Sequence, residues 1–401
     1  MTTLSVVIPA YNEEAGIETI ARRVLAIEPE LKKVGVDHLE LIVVDDASKD
    51  HTAEIAAAIE GVKLIRHPIN RNYGGALKTG FNAAQGELIG FLDADGTYPP
   101  EYFPKLCEEV LKGADIVIGS RMAGADSKMP ATRRLGNFIF ANLLSLVGRQ
   151  KVTDSASGQR VFRRDTLERM LPLPNGLNLT PVQSARVIHE GMKVVEVPIP
   201  YSERVGRSKL SVIHDGRIFL QSILWTVMMY NPVRILGLIG LGGMLIALLA
   251  GIALVVARLS GVTSLGPWGV AGLFLAAISA VTGVSLYALG VTFNRLVRIF
   301  NRKEIPRQGI FGGLIFRTSP DRHFWWMGLL SFFGGLVLGL ISLGFSFGGW
   351  DIARLWLYLM ASAMAILIGV QFIIYWILIR VLDEVSQREE LTKQDLNSIS
   401  S

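Results

Sequence analysis

The sequence predicts an α/β domain with a mainly parallel sheet, followed by an all-α transmembrane domain of four helices. Three observations carry that prediction. The first half alternates strand-like with helix-like stretches, the second half holds four long runs without charge, and charge density changes sharply between them. Residues 1–234 contain 28 Lys/Arg and 27 Asp/Glu, while residues 235–401 contain only 12 and 8. The whole chain is 19% charged, below the roughly 25% of a soluble domain, and this layout excludes a fully soluble protein.

In the first half, short β-branched or apolar runs bounded by turn or charged residues mark strands at 5–8, 39–44, 62–66, 88–92 and 115–118. Helical patterns lie between them, among them 14–28, 52–59 and 76–84. Such alternation implies a parallel sheet covered on both faces, with ligands bound just beyond the carboxyl ends of its strands. Asp45-Asp46 and Asp93-Ala94-Asp95 follow apolar runs directly, which places them at that edge. The expected organisation is an α/β domain over 1–210, an amphipathic connector over 211–232, a membrane domain over 233–380 and a tail over 381–401. The Ser-rich stretch after Gln387 reads as disordered.

The uncharged runs are 235–257, 259–294, 323–350 and 355–379, and each exceeds the roughly 20 residues that cross a bilayer. Helices are expected at about 235–257, 268–292, 325–348 and 356–379, the second run opening with a turn at Ser264-Leu265-Gly266-Pro267. Between the second and third runs stand Arg295, Arg298, Arg302, Lys303, Arg307, Arg317 and Arg322, whereas the other two loops offer Arg258 and Arg354. The basic loop therefore faces the cytoplasm. With an even number of crossings, both termini and the α/β domain lie on that side of the inner (plasma) membrane. Trp268, Trp325, Trp326, Trp350 and Trp356 fall at the expected span ends, where amphipathic rings settle at headgroups.

The net charge of +5 is a weak argument for nucleic acid, because the basic excess lies mostly in the hydrophobic half. No nucleic-acid partner is expected. The single cysteine, Cys107, excludes an internal disulfide or a Cys-based zinc site and reads as an inert helix residue. Residues 1–10 lack the basic n-region and cleavage site of a secretory signal peptide. The six histidines show no metal-ligand spacing, and no Gly-x-x-x-x-Gly-Lys-Ser/Thr loop exists to drive transport.

Asp93-Ala94-Asp95 is the central chemical clue. Two carboxylates two residues apart, just past a buried strand, can hold a divalent cation against a diphosphate. Hard oxygen ligands suit Mg²⁺ or Mn²⁺, which complete their shells with waters and substrate phosphates. Alone the pattern is weak, since a surface turn gives the same letters. Its place after 88–92 and before Gly96-Thr97-Tyr98-Pro99-Pro100-Glu101 strengthens it.

Six segments together resemble a known family: residues 5–14 (SVVIPAYNEE), 43–52 (VVDDASKDHT), 91–101 (FLDADGTYPPE), Gly119-Ser120-Arg121, 154–163 (DSASGQRVFR) and 203–210 (ERVGRSKL). They look like the family 2 glycosyltransferases of the GT-A fold, and more narrowly like the polyprenyl-phosphate glycosyltransferases, which include the dolichyl-phosphate mannose synthases. The motifs run in family order across about 210 residues.

The resemblance implies roles position by position. Pro9, Tyr11, Glu13, Val44 and Asp46, with Asp45 beside them, match positions that hold the nucleotide's base and ribose. Asp93 and Asp95, flanking Ala94, match the metal and diphosphate ligands, and Arg204 and Lys209 match a loop closing over the donor phosphates. Arg121 and Arg133, with Arg134 as an adjacent candidate, match the arginines that hold the acceptor phosphate. Asp154 matches the carboxylate often taken as base, so Asp95 and Asp154 are the catalytic candidates. Many members read Asp-x-Asp-Leu-Gln where this chain has Gly96 and Thr97.

The expected reaction is metal-dependent, inverting transfer of one sugar from a UDP- or GDP-linked donor to an undecaprenyl- or dolichyl-type polyprenyl phosphate. A homo-oligomer is compatible with the resemblance. Two other readings stand beside it. A processive polysaccharide synthase normally carries a Gln-x-x-Arg-Trp motif, which is absent from the sequence. A non-catalytic nucleotide-sugar sensor or a lipid-linked-sugar transporter component would not need Asp93, Asp95 and Arg121 together. Simpler readings remain for three features: Asp45 as a turn cap, Arg134 as a surface cation, and Gly74, Gly75 and Gly80 as close packing sites.

Overall fold

The structure is a computed structural model that describes residues 1–122, 129–148, 150–202, 212–300 and 320–399. The chain separates into two units, Met1–Val227 and Met228–Ser401.

In the first unit the elements run β1 (Thr3–Ala10), α1 (Ile17–Leu25), α2 (Glu28–Lys33), β2 (His38–Asp45), α3 (Thr52–Ala57), β3 (Val62–Arg66), α4 (Tyr73–Ala83), β4 (Leu88–Phe91) and α5 (Phe103–Leu111). There follow β5 (Ile116–Ser120), α6 (Ala131–Gly148), β6 (Arg160–Arg163), α7 (Leu167–Met170), α8 (Leu179–His189), β7 (Val194–Pro198) and α9 (Val212–Tyr230), whose last three residues belong to the second unit. The strands form one seven-stranded sheet in the order β3-β2-β1-β4-β6-β5-β7. All pairs are parallel except those of β6, which runs antiparallel to both β4 and β5. The order reverses between β1 and β4, and the crevice at such a reversal is where open α/β sheets bind ligands.

The sheet is buried because its strands are apolar throughout: β1, β4 and β5 are almost wholly inaccessible, and Val6, Ile8, Val43 and Val117 belong to one core with Ile17, Val24 and Leu106. Helix α4 lies unusually close to β1. Gly80 makes that possible, since a Cβ there would stand 2.2 Å from Cγ1 of Val7. Gly74 is likewise a packing site, with no room for a Cβ beside the Pro174 carbonyl.

Three features differ from the sequence expectation. The helix expected over 14–28 is the shorter α1, and a second helix not marked by pattern follows over Glu28–Lys33, where Pro29 sits in the first turn and its missing N–H is harmless. Strands β6 and β7 were not marked by pattern, because β6 has only Val161-Phe162 between Arg160 and Arg163 and Glu196 interrupts the apolar run of β7. Arg160 is nevertheless fully buried, so its polar atoms are answered by tertiary hydrogen bonds rather than by water. The stretch after Gln387, read as disordered, continues as helix to Ile399. Its Gln, Glu, Arg, Leu and Lys content is strongly helix-forming, and extending an existing helix needs no new nucleus.

The second unit comprises α10 (Pro232–Leu259), α11 (Pro267–Phe300), α12 (Phe324–Phe347) and α13 (Ile352–Ile399). Pro232 occupies the first position of α10, following Asn231. Among the described residues four helices are long and apolar enough to cross a membrane. Glycines set the close pairings. Gly240 and Gly283 bring α10 against α11, and Gly328, Gly335 and Gly369 bring α12 against α13, where Ser362 Oγ donates to the Gly335 carbonyl at 2.8 Å. At one end Arg258 donates to the Arg354 carbonyl and Trp356 Nε1 to the Thr263 carbonyl. At the other, Arg295 pairs with Asp383 at 2.6 Å. Arg302, Lys303, Arg307 and Arg317 of the basic loop lie outside the described residues.

Candidate active site

The carboxyl ends of β1, β2, β4 and β5 meet at one edge of the sheet, and antiparallel β6 delivers residues 154–159 to the same edge from its amino end. A cavity of about 710 Å³ opens there, entirely within the first unit. Pro9, Tyr11, Glu13, Asp46, Asp93, Ala94, Asp95, Arg121 and Arg133 all line it. The chain has therefore gathered, from five separate segments, most of the residues marked by motif.

The loops after β1 and β2 are laced together. Asn12 N–H donates to Ser48 Oγ at 2.9 Å, Lys49 N–H to Asn12 Oδ1 at 2.8 Å and Glu13 N–H to Thr52 Oγ1 at 2.9 Å. Asp46 is held by a network that the motifs did not reveal: its Oδ1 accepts from Arg71 N–H at 2.8 Å and lies 2.7 Å from His67 Nδ1. The far ring nitrogen of buried His67 is 2.9 Å from Thr79 Oγ1 on α4.

Asp93 and Asp95 are fixed from different sides. The Tyr73 hydroxyl, at the start of α4, donates to Asp93 Oδ1 at 2.8 Å. Burial and the adjacent Asp93 charge push the Tyr73 hydroxyl well above its ordinary pKa, so it stays a donor. Asp95 Oδ1 accepts from both the backbone N–H and the hydroxyl of Thr97, at 3.1 and 2.6 Å. Among the described residues no group of three His, Cys, Asp or Glu could cage a metal. A pair of hard carboxylates fits Mg²⁺ or Mn²⁺, which take one or two carboxylates and fill the remaining positions with water and phosphate oxygens.

Arg121, immediately after β5, is tightly held on the cavity wall. Its Nε and Nη2 reach Asp154 Oδ2 and Oδ1 at 2.7 and 2.8 Å, and its backbone N–H donates to Oδ2 at 3.0 Å. Ala156 N–H adds a fourth bond, to Oδ1 at 3.3 Å. The rings of Tyr98 and Tyr201 face the guanidinium at 5.7 and 5.3 Å. Burial raises the Asp154 carboxyl, but the Arg121 charge and hydrogen bonds outweigh it and hold the group below its ordinary range. Beneath the pair, Glu196 on β7 accepts from the N–H groups of Thr153 and Asp154, both at 2.9 Å.

Four marked residues do not reach the cavity wall. Val44 is fully buried opposite Pro9 in the β1–β2 register. Asp45 is buried as well, and its Oδ1 accepts from Ser48 N–H at 3.3 Å, so it caps the turn. Asp154 lies behind Arg121, and Arg134 points to the exposed side of α6. Arg204 and Lys209 lie outside the described residues.

A family model for glycosyl transferase family 2 matches residues 5–171, and one described as a domain of unknown function (DUF8752) matches residues 232–393. An undecaprenyl-phosphate 4-deoxy-4-formamido-L-arabinose transferase of Aeromonas hydrophila is 31% identical over 330 residues, covering 80% of this chain and 96% of that protein. The chain belongs to the polyprenyl-phosphate family 2 glycosyltransferases. A dolichyl-phosphate hexose transferase of Haloferax volcanii is 33% identical over 221 residues, 55% of this chain and 92% of that one. Among solved structures, glucosyl-3-phosphoglycerate synthase from Mycobacterium tuberculosis aligns at a TM-score of 0.45 and 22% identity, over 56% of this chain and 80% of that one.

In this glycosyltransferase the departure at Gly96-Thr97 has a local cause. Gly96 takes a φ of 75°, where a side chain is strained, and so turns the chain to bring Thr97 back onto Asp95. Tyr73, Tyr98, Tyr201, His67, Arg160 and Glu196 also build the site and were not singled out by sequence. Tyr98 and Arg160 lie within two of the quoted motifs, 91–101 and 154–163, which could have flagged them; the other four stand in no motif.

Proposed function

We propose that this glycosyltransferase moves one sugar from a nucleotide-diphosphate sugar to a polyprenyl phosphate, with inversion at the anomeric carbon. The observation that carries this reading is that a carboxylate pair, Asp93 and Asp95, and two arginines, Arg121 and Arg133, line the same cavity. Donor diphosphate and acceptor phosphate both need countercharge, and the two sets supply it by different means. Asp93 and Asp95 would hold Mg²⁺ or Mn²⁺, which when bound stabilises the charge developing on the leaving diphosphate. Arg121 and Arg133 match phosphate oxygens directly, Arg121 with its fork already oriented by Asp154.

The chain's own residues then have limited chemistry to perform. A phosphate monoester has its second pKa near about 6, so at neutral pH the acceptor is already mostly a dianion. Its oxygen forms the new bond to the anomeric carbon as the bond from that carbon to the donor's diphosphate oxygen breaks. The nucleoside diphosphate leaves with the electron pair, and no proton needs to be taken by protein. Tyr11, Glu13 and Asp46 would hold the base and ribose at the other end of the cavity.

Apolar surface beside the site suits a lipid acceptor. Phe140 and Phe219 line the cavity with ring centroids 6.2 Å apart, and α6 exposes Leu135, Phe138 and Ile139. The relatives named above act on undecaprenyl and dolichyl phosphates by their names, which supports the same acceptor class here. The basic segment between the second and third helices supports a cytoplasmic placement of that segment, of both termini and of the sugar-transfer unit.

The test is a transfer assay on detergent-purified protein with Mg²⁺ or Mn²⁺, a short polyprenyl phosphate and a panel of labelled UDP- and GDP-sugars. Label should enter the organic phase with one donor and stay behind on chelation or in Asp95→Ala. Binding of a nucleotide sugar without transfer to any polyprenyl phosphate would overturn the reading.

A further inference from the structure

Residues 153–158 stand between the two sets of charged groups. Near the start of this segment, Asp154 holds Arg121. At its end, Gly158 packs so tightly on Asp93 that a Cβ would lie 2.6 Å from Oδ2, and Gly158 N–H is fixed by the Tyr98 hydroxyl at 2.7 Å. Any shift of the segment therefore reaches both a candidate metal ligand and a candidate acceptor cation.

Arg160 braces the segment from below. It is fully buried, and its Nε donates to the Ser157 carbonyl at 3.0 Å while Nη2 donates to the Ser155 carbonyl at 2.9 Å. Its third bond runs from Nη1 to Gln183 Oε1 on α8 at 3.1 Å. Among the described residues it forms no direct ion pair: its hydrogen bonds all go to neutral oxygens, and the charge of Asp154 acts on it without contact. Burial brings its pKa down to about 10, which still leaves it charged at neutral pH. That arrangement is costly where an apolar side chain would fill the space more cheaply. A planar fork does what an apolar side chain cannot: it locks two carbonyls, two residues apart, at fixed separation.

We propose that Arg160 is a positioning residue that couples the two halves of the site, setting Asp93 through Gly158 and Arg121 through Asp154. Resting on the donor and acceptor assignments proposed above, this coupling makes Arg160 act on both at once without touching either substrate.

The experiment uses the purified full chain and four variants. Arg160→Lys keeps the charge and loses the fork, and Gln183→Ala loosens Arg160 while leaving it in place. Arg121→Lys and Tyr73→Phe each address one half of the site. Two constants are read: Mn²⁺ affinity by EPR titration with UDP and separately with GDP, and KM for a short polyprenyl phosphate. Arg160→Lys should weaken Mn²⁺ binding and raise the acceptor KM together, each by about tenfold, the size expected on loss of a residue that orients a ligand. Gln183→Ala should shift both in the same direction to a smaller degree, which keeps the test valid should Arg160→Lys not fold. Tyr73→Phe should move mainly the Mn²⁺ affinity, and Arg121→Lys mainly the acceptor KM.

A fall in kcat or in melting temperature alone, with both constants unchanged, would make Arg160 merely structural. A change in one constant without the other would break the coupling. If Tyr73→Phe and Arg121→Lys also leave both constants unchanged, the assignment of the two subsites falls, and the coupling with it.

Discussion

Arg121 and Asp154 form a bidentate pair, Nε to Oδ2 at 2.7 Å and Nη2 to Oδ1 at 2.8 Å, in which the carboxylate is wholly buried. With Arg121 N–H and Ala156 N–H added, each carboxylate oxygen accepts two hydrogen bonds. A carboxylate so engaged is a poor proton acceptor and a good anchor for an arginine. Asp154→Asn should therefore raise the acceptor KM by at least about tenfold and destabilise the fold by about 3–5 kcal/mol, the usual result of breaking a buried pair. Steady-state kinetics against acceptor concentration checks the first and thermal unfolding the second. Unchanged KM with loss confined to kcat would restore Asp154 as a base.

The same pair fixes a pH signature. The Asp154 carboxyl is depressed below its ordinary value of 3.8, so its stabilising contribution is complete above that value and is lost as pH falls through the folded-state pKa. Melting temperature should hold for this group from pH 7 to 5 and drop below about pH 4. Asp154→Asn should lack that part of the acid loss. The rate profile near neutrality should instead follow the acceptor phosphate, with its pKa near about 6.

Gly80 is where α4 and β1 touch. Adding a methyl group at 2.2 Å from Val7 Cγ1 overfills a closed core, so Gly80→Ala should cost about 1–3 kcal/mol by thermal or denaturant unfolding. Combining it with Val7→Ala, which removes the opposing methyls, should recover part of the loss, because contacting positions couple.

Cys107 is inaccessible in α5, and burial pushes its thiol far above the ordinary value. Reactive cysteines are exposed thiolates. The native protein should resist a maleimide at pH 8 and react stoichiometrically once unfolded, as mass spectrometry would read directly.

That silence makes Cys107 a clean background for topology. Ser264→Cys, in the turn between α10 and α11, should react with a membrane-impermeant maleimide on intact spheroplasts. Lys33→Cys, on the exposed side of α2, should react only after lysis. The reverse pattern would invert the proposed orientation.

The four apolar helices and the motifs at the strand ends were legible in sequence for a simple reason. Hydrophobic length and local spacing are properties of contiguous residues: 20 apolar positions in a row announce a crossing, and Asp93-Ala94-Asp95 after an apolar run announces its own edge. The same holds for β1, β2 and β3, whose apolar runs match the observed strands to within two residues at either end.

What only the tertiary structure decided is which distant residues complete each motif. Asp154 is given a role only by the family resemblance, and its bidentate contact with Arg121 exists only because β6 runs antiparallel and delivers it there. Arg160 sits inside the 154–163 motif with no role assigned by sequence, and only the fold shows that it is buried under the 153–158 segment. His67, Tyr73 and Glu196 carry no local signal, and each acts through a partner at least 20 residues away. The physical reason is that a polar side chain's role depends on its hydrogen-bond partner and its burial. Both are set by how the sheet is ordered, and that order is written in no single stretch of the chain.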